Sequence, residues 1–155
     1  MSVRHATWTI ERAYGVPPAR VFDAWADPAL KVRWFVGPVG GARQLYSSDF
    51  RVGGLESTRS PSGASPAFSY EAVYRDIIVD ERIVTTYEMS VDGRRMSVSV
   101  ATAEFTATGD GTHLLYTELG AYFDDLDKPE YREQGTADQL DRLAAQLESR
   151  HASDR

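Results

Sequence analysis

The chain has 155 residues, of which 42% are hydrophobic and 26% charged, with a formal net charge of −6. This is the composition of a globular protein long enough to bury a sizeable core, and the absence of cysteine removes disulfides, thiolate metal sites and a cysteine nucleophile. The acidic balance, the scattered arginines and the lack of any run of about 18 apolar residues exclude a phosphate-binding stripe and a membrane-spanning helix, and with no apolar leader in Met1 to Trp8 the expected compartment is the cytoplasm.

Alternation of Trp8, Ile10 and Tyr14 with smaller or polar residues predicts a first strand over Thr7–Tyr14. Pro17 and Pro18 stop it, and proline suits the first turn of a helix because its missing N–H is not needed there. Val21, Phe22 and Trp25 then recur at helical spacing. Asp27-Pro28 reads as the cap and first residue of a second short helix carrying Leu30 and Trp34, ended by Gly37-Pro38 and Gly40-Gly41. Arg43–Arg51 is the next strand, leading into Gly53-Gly54, a pair able to take the positive φ angles of a tight turn. Ser57–Pro66, rich in serine, glycine and proline, reads as a mobile hairpin loop.

Strands are predicted over Phe68–Val79, Glu81–Met89, Arg94–Thr106 and Thr112–Leu119, with turns at Asp80-Glu81, Asp92-Gly93 and Gly109-Asp110-Gly111. Short turns between successive strands imply antiparallel pairing. The period then changes. Asp127-Lys128-Pro129-Glu130 has the form of a capping box with Asp127 as the cap. Tyr131, Leu140, Leu143, Ala144 and Leu147 are assigned to one face of the long helix that follows. Gly135 interrupts that helix at a cost of about 1 kcal/mol against alanine, which suggests close backbone approach to the sheet. Fraying is expected after Arg150.

One long helix covers only the middle of a wide, bent sheet, so space is left between them for side chains or a ligand. Phe68, Tyr70, Ala72 and Tyr74 share one face of their strand; Ile83, Thr85, Tyr87 and Met89 share another; Leu114, Tyr116 and Glu118 share a third, ahead of Tyr122 and Phe123. Such residues on strands are ordinarily core, but a buried phenol needs a hydrogen-bond partner, and four tyrosines supply several. Glu118 is either outward-pointing, paired with an arginine such as Arg12 or Arg95, or exposed to a wet pocket.

Dedicated catalytic motifs are lacking. His5, His113 and His151 have no metal-ligand spacing. Ser60, Ser62 and Ser65 sit in a loop without a nucleophile elbow, and the paired glycines mark hairpin turns rather than phosphate loops. An enzyme built on this chain would take its acid or base from Glu118, Glu104, His5 or the tyrosines, and a desolvated glutamate would have its pKa raised toward neutrality.

Ile10-Glu11-Arg12, Val21-Phe22-Asp23-Ala24-Trp25-Ala26-Asp27-Pro28 and Arg33-Trp34-Phe35 resemble the N-terminal signature of the SRPBCC (START-like) superfamily. Asp49-Phe50-Arg51-Val52-Gly53-Gly54, with valine where proline is common, is similar to the branch named for the C-terminal domain of the activator of heat-shock protein 90 ATPase. Asp80-Glu81-Arg82-Ile83, Gly111-Thr112, Thr117-Glu118 and Arg132-Glu133-Gln134-Gly135-Thr136 extend the likeness, with Thr136 where many relatives carry tryptophan. The resemblance implies an α+β helix-grip (START/Bet v 1-like) fold, a curved antiparallel sheet with two short helices and a long C-terminal helix around a hydrophobic cavity. Residues 1–155 are expected to form a single domain with its core at about 7–149.

The expected function is binding of a small hydrophobic or aromatic molecule between the sheet and the last helix. The expected lining is Trp25, Trp34, Phe50, Phe68, Tyr70, Tyr74, Tyr87, Met89, Tyr116, Glu118, Tyr122, Phe123 and Leu140. Glu118 is the weak catalytic candidate, and neither a metal nor a cofactor is expected. The alternatives are a cyclase- or hydrolase-like enzyme using the same pocket, or a co-chaperone-like interaction module. No nucleic-acid or membrane partner is expected. A homodimer through the sheet's outer face or edge is compatible with the strands but not demanded by them.

Overall fold

The computed structural model describes residues 1–36 and 44–153, so the expected helix stop at Gly37-Pro38 and Gly40-Gly41 lies outside the described residues. The element order is β1 (Val3–Tyr14), α1 (Pro18–Ala26), α2 (Pro28–Phe35), β2 (Leu45–Ser48), β3 (Leu55–Arg59), β4 (Phe68–Ile78), β5 (Arg82–Val91), β6 (Arg94–Thr108), β7 (Gly111–Phe123) and α3 (Pro129–Ser153). The seven strands form one antiparallel, curved sheet in the order β1-β7-β6-β5-β4-β3-β2. Both short helices lie in sequence between its two edge strands, and α3 follows the last strand.

Turn chemistry sets the hairpins. Asp92 (φ 50°) and Gly93 (φ 78°) join β5 to β6 as a two-residue Asp-Gly turn, where left-handed backbone is required at both positions. Gly53 has φ 85°, but Gly54 is glycine for another reason: a Cβ there would lie 1.9 Å from the Asp49 carbonyl oxygen. Ser57–Arg59, read from composition as loop, complete β3, which pairs with β4 through Leu55↔Val73 to Arg59↔Ser69. β7 runs on to Phe123 because all twelve residues of β1 pair with it, from Val3↔Phe123 to Tyr14↔Thr112.

The inward face of β6 is small: Ser97, Ser99, Ala101 and Ala103 are buried, and only Phe105 is bulky. Opposite it, α3 lies against α1, α2 and β1 through Leu140, Leu143 and Leu147, none of them more than 2% exposed. Two α3 amides and a guanidinium bond to carbonyls of α2, two of them at its C-terminal end. Gln139 Nε2 donates to Phe35 O at 2.9 Å, Arg142 Nε to Trp34 O at 3.0 Å and Gln146 Nε2 to Leu30 O at 3.3 Å. The bonds to Phe35 O and Trp34 O supply partners that a helix end lacks internally, and all three hold α2 and α3 at a set spacing.

Two helix expectations need correction. Tyr131 is 59% exposed and stacks with the Lys128 ammonium at 5.6 Å. It is nine residues from Leu140, two and a half turns at 3.6 residues per turn, so the two point to opposite sides. The capping box does not form either. Lys128 O accepts the first helical bonds, from Tyr131 N and Arg132 N. Asp127 instead binds Lys128 N and lies 3.1 Å from Arg132 Nε, and Glu130 is engaged by Arg4 Nη2 at 2.7 Å.

Candidate functional site

A cavity of about 390 Å³ lies between the inner face of β3–β7 and the helices α2 and α3. Its floor is set by the small β6 residues Ala101 and Ala103 with Ile83 and Thr85 of β5, which leave the space that α3 does not fill. Aromatic rings make the walls. Trp25 and Trp34 are 4.8 Å apart between centroids, Trp25 and Tyr116 6.4 Å, Tyr70 and Tyr87 5.0 Å, and Phe35 and Tyr70 5.3 Å. From α3 the cavity receives Arg132, Gly135, Thr136, Asp138, Gln139, Leu140 and Arg142, in which Arg132, Gly135, Thr136, Gln139 and Leu140 recur at the three- and four-residue spacings of one helical face.

Gly135 lines this space, and a Cβ built on it would meet nothing within 4 Å. Close approach to the sheet therefore does not explain this glycine. Its missing side chain adds volume to the cavity.

Two buried carboxylates accompany the rings, Glu56 on the wall and Glu118 one layer behind it. Glu56, on β3, accepts from Lys31 Nζ at 2.5 Å, Tyr46 OH at 2.7 Å, Tyr74 OH at 2.8 Å and Tyr70 OH at 2.9 Å. Burial pushes the Glu56 carboxyl up, but the Lys31 ammonium and the phenol donors more than offset it, and the net shift is downward. The Lys31 ammonium also lies 4.4 Å from the Phe35 ring centroid, a cation–π contact that repays part of its desolvation. Both ends of this pair line the cavity.

Glu118, on β7, accepts from Tyr87 OH and, at 2.8 Å, from Tyr116 OH. It is fully buried, and burial pushes its carboxyl up to about 7 against the pull of the two phenols and the Arg132 charge. Arg12 and Arg95 are not its partners: Arg12 pairs with Asp141 and Arg95 with Glu88, both on the surface. The Tyr70, Tyr87 and Tyr116 phenols are held protonated, first by burial and then by the adjacent carboxylates.

Of the residues singled out from sequence, Trp25, Trp34, Phe68, Tyr70, Tyr87, Met89, Tyr116 and Leu140 are on the cavity wall. The others are placed elsewhere. Tyr74 and Glu118 lie one layer behind, bonded to groups that reach the wall. Phe50 packs on Phe22 and Tyr74 at 5.7 and 5.0 Å. Tyr122 accepts from Trp8 Nε1 at 3.4 Å, and Phe123 ends β7 against Val3. Glu104 is exposed, and His5 borders a shallow outer groove with Val98, Val100 and Leu119. His113 sits 3.2 Å from Glu11 at the surface. Among the described residues no cluster of three or more His, Asp or Glu could hold a metal ion, and no helix is long and apolar enough to cross a membrane.

Sequence reasoning missed Lys31, Glu56 and Arg132. Lys31 stood out as one of two lysines, and the spacing Lys31–Trp34–Phe35 was a helical face. Glu56 and Thr58 alternate as a strand would, but the glycines before them and the serine-rich stretch after them concealed it.

The family model described as Activator of Hsp90 ATPase homolog 1-like protein matches residues 15–148. Among solved structures, a Rhizobium loti protein is 46% identical, with 94% of this chain and 99% of that chain covered and a TM-score of 0.85. A putative uncharacterized protein from Rhizobium leguminosarum is 38% identical, with coverages of 96% and 97% and a TM-score of 0.88. A Chromobacterium violaceum protein is 26% identical over 90% of this chain and 96% of that chain, with a TM-score of 0.69. No curated protein matches the chain.

Proposed function

Because the chain belongs to the Activator of Hsp90 ATPase homolog 1-like family, whose fold is consistent with ligand-binding and with co-chaperone-like modules, we propose that it binds a small apolar or aromatic molecule. The observation that carries this reading is the unfilled volume of about 390 Å³ walled by tryptophan, tyrosine and phenylalanine. Small-molecule sites occupy roughly 300–1,000 Å³ and combine apolar walls with a few oriented polar groups. A core selected only for stability would fill such a space, since a void forfeits dispersion contacts along its whole lining. The small residues Ala101, Ala103 and Gly135 keep it open from both sides.

Native mass spectrometry of gently purified protein, followed by thermal-shift screening with fatty acids, sterols and polycyclic aromatics, tests the proposal. A co-purifying mass, or stabilisation reaching about 2.7 kcal/mol at a hundred times Kd, supports it. Protein that is empty and indifferent to every class rejects it in favour of an interaction module.

An enzymatic reading has one observation in its favour. Glu118 titrates at about 7 and reaches the cavity through Tyr87 and Tyr116, two phenols on the wall. Under that reading Glu118→Gln abolishes turnover of a bound substrate and leaves its binding unchanged.

A further inference from the structure

The charged groups of the cavity are unequally satisfied. Lys31 and Glu56 close on one another. Arg142 donates through Nε to the Trp34 carbonyl, and Asp138 is exposed and accepts from Gln134 Nε2. Among the described residues, Arg132 differs from Lys31, Glu56 and Asp138 in having no oxygen partner in a hydrogen bond, and from Arg142 in that even its Nε makes none. It projects from the first turns of α3 onto the cavity wall, and its side chain is 29% exposed. Its Nε edge faces Asp127 Oδ2 at 3.1 Å. Its Nη1 donates to the Met89 sulfur at 2.9 Å, and a thioether is a weak acceptor. Among the described residues no oxygen accepts from either terminal nitrogen of this guanidinium.

A guanidinium is a rigid fork of five donors suited to bidentate bonding of a planar oxyanion. One edge of the Arg132 fork lies beside the Asp127 carboxylate as an ion pair without a hydrogen bond, and the rest faces a sulfur and the cavity. The phenols of the neighbouring wall are not free to donate to a ligand. The Tyr87 and Tyr116 hydroxyls are committed to Glu118, and the Tyr70 hydroxyl to Glu56.

We infer that Arg132 is the anchor for an acidic head group, so that the ligand is an apolar or aromatic carboxylic acid whose carboxylate meets the Arg132 terminal nitrogens and whose body lies among Tyr70, Tyr87, Trp25 and Phe35. The inference rests on the proposed binding of a small apolar molecule and adds the ligand's chemical class and its orientation. The carboxylate displaces the contact with Met89, while the Asp127 charge stays beside the Nε edge. A guanidinium with its terminal nitrogens facing an aromatic cavity selects amphipathic acids over their neutral esters, because the ester offers neither the charge nor the paired oxygens.

The test is calorimetric titration with 1-naphthoic acid, 2-naphthoic acid and decanoic acid, each beside its methyl ester, at pH 7.5. The acids are expected to bind at least about tenfold tighter than their esters, the usual worth of a charge-assisted hydrogen bond over a neutral one. Arg132→Gln abolishes the preference and retains ester binding; Arg132→Lys keeps part of it. Asp127→Asn, which preserves the bond to Lys128 N through its amide oxygen, relieves the competing charge and tightens the acids without changing the esters. That variant keeps the inference testable if Arg132→Gln fails to fold. Acids and esters binding equally, or a preference that survives Arg132→Gln and disappears in Arg142→Gln, overturns the anchor but leaves the cavity reading intact. Binding of neither class overturns both.

Discussion

Lys31 and Glu56 are 2.5 Å apart with side chains 4% and 1% exposed, so neither can be removed alone without leaving an uncompensated charge in the interior. Lys31→Met is expected to destabilise the protein by about 3–5 kcal/mol, and Lys31→Met with Glu56→Gln to recover most of that loss. Urea unfolding of the two variants beside the parent measures both effects. Glu118 behaves differently because its partners are phenols rather than a cation. Its folded pKa is about 7, raised by burial from the ordinary carboxylate value of 4.5, so between these values the folded state binds the proton that the unfolded state has released. Its contribution to stability is complete below about pH 4.5 and is lost as pH rises through 7, by at most about 3 kcal/mol. Glu118→Gln should flatten this decline between pH 5 and 8 in a series of chemical denaturations. Glu56, with its pKa lowered, contributes in the opposite sense: its stabilisation holds at neutral pH and is lost on the acid side.

At the scale of elements, the helix α3 carries the main compromise between stability and space. Gly135 sits inside it with open volume where a Cβ would be. Gly135→Ala should therefore raise stability by about 1 kcal/mol through helix propensity alone, readable as a higher midpoint in thermal unfolding. The strand β3 shows the converse case, in which local composition misleads. Leu55–Arg59 lies between a glycine turn and a serine-rich segment and has weak strand character of its own. Pairing with β4 decides its state, and that pairing is what carries Glu56 and Thr58 inward. Tertiary context overrides propensity in just such short segments.

For the molecule as a whole, the cavity follows from a mismatch between layers. The helix α2 is pinned to α3 by Gln139, Arg142 and Gln146, while the sheet beneath presents alanine and serine from β6. Ala103→Leu, facing this space, should leave stability unchanged or raised and abolish any ligand-induced thermal shift. A large loss of stability instead would mean that the volume is already closed by its own side chains, since overpacking a filled core costs about 1–3 kcal/mol.

Alternation and turn residues were enough to place β1, β4, β5, β6 and β7 and to group Tyr70 with Tyr74, Tyr87 with Ile83, and Tyr116 with Glu118 on shared strand faces, because a period of two along a long strand leaves little freedom. Which face points inward, and that Glu118 does, came from the packing. Helical spacing likewise placed Leu140, Leu143 and Leu147. The partners of those residues were not legible. Lys31 and Glu56 are 25 positions apart, Tyr87 and Glu118 31, and Arg132 reaches Met89 across 43; no local pattern encodes contacts between separate elements. The chain by itself determined a curved antiparallel sheet under a long helix, since hydrophobic periodicity is a property of neighbouring residues. Only the tertiary structure decided which charges close on each other and which guanidinium is left facing the cavity, because those depend on the ångström-scale placement of α2 and α3 over the sheet.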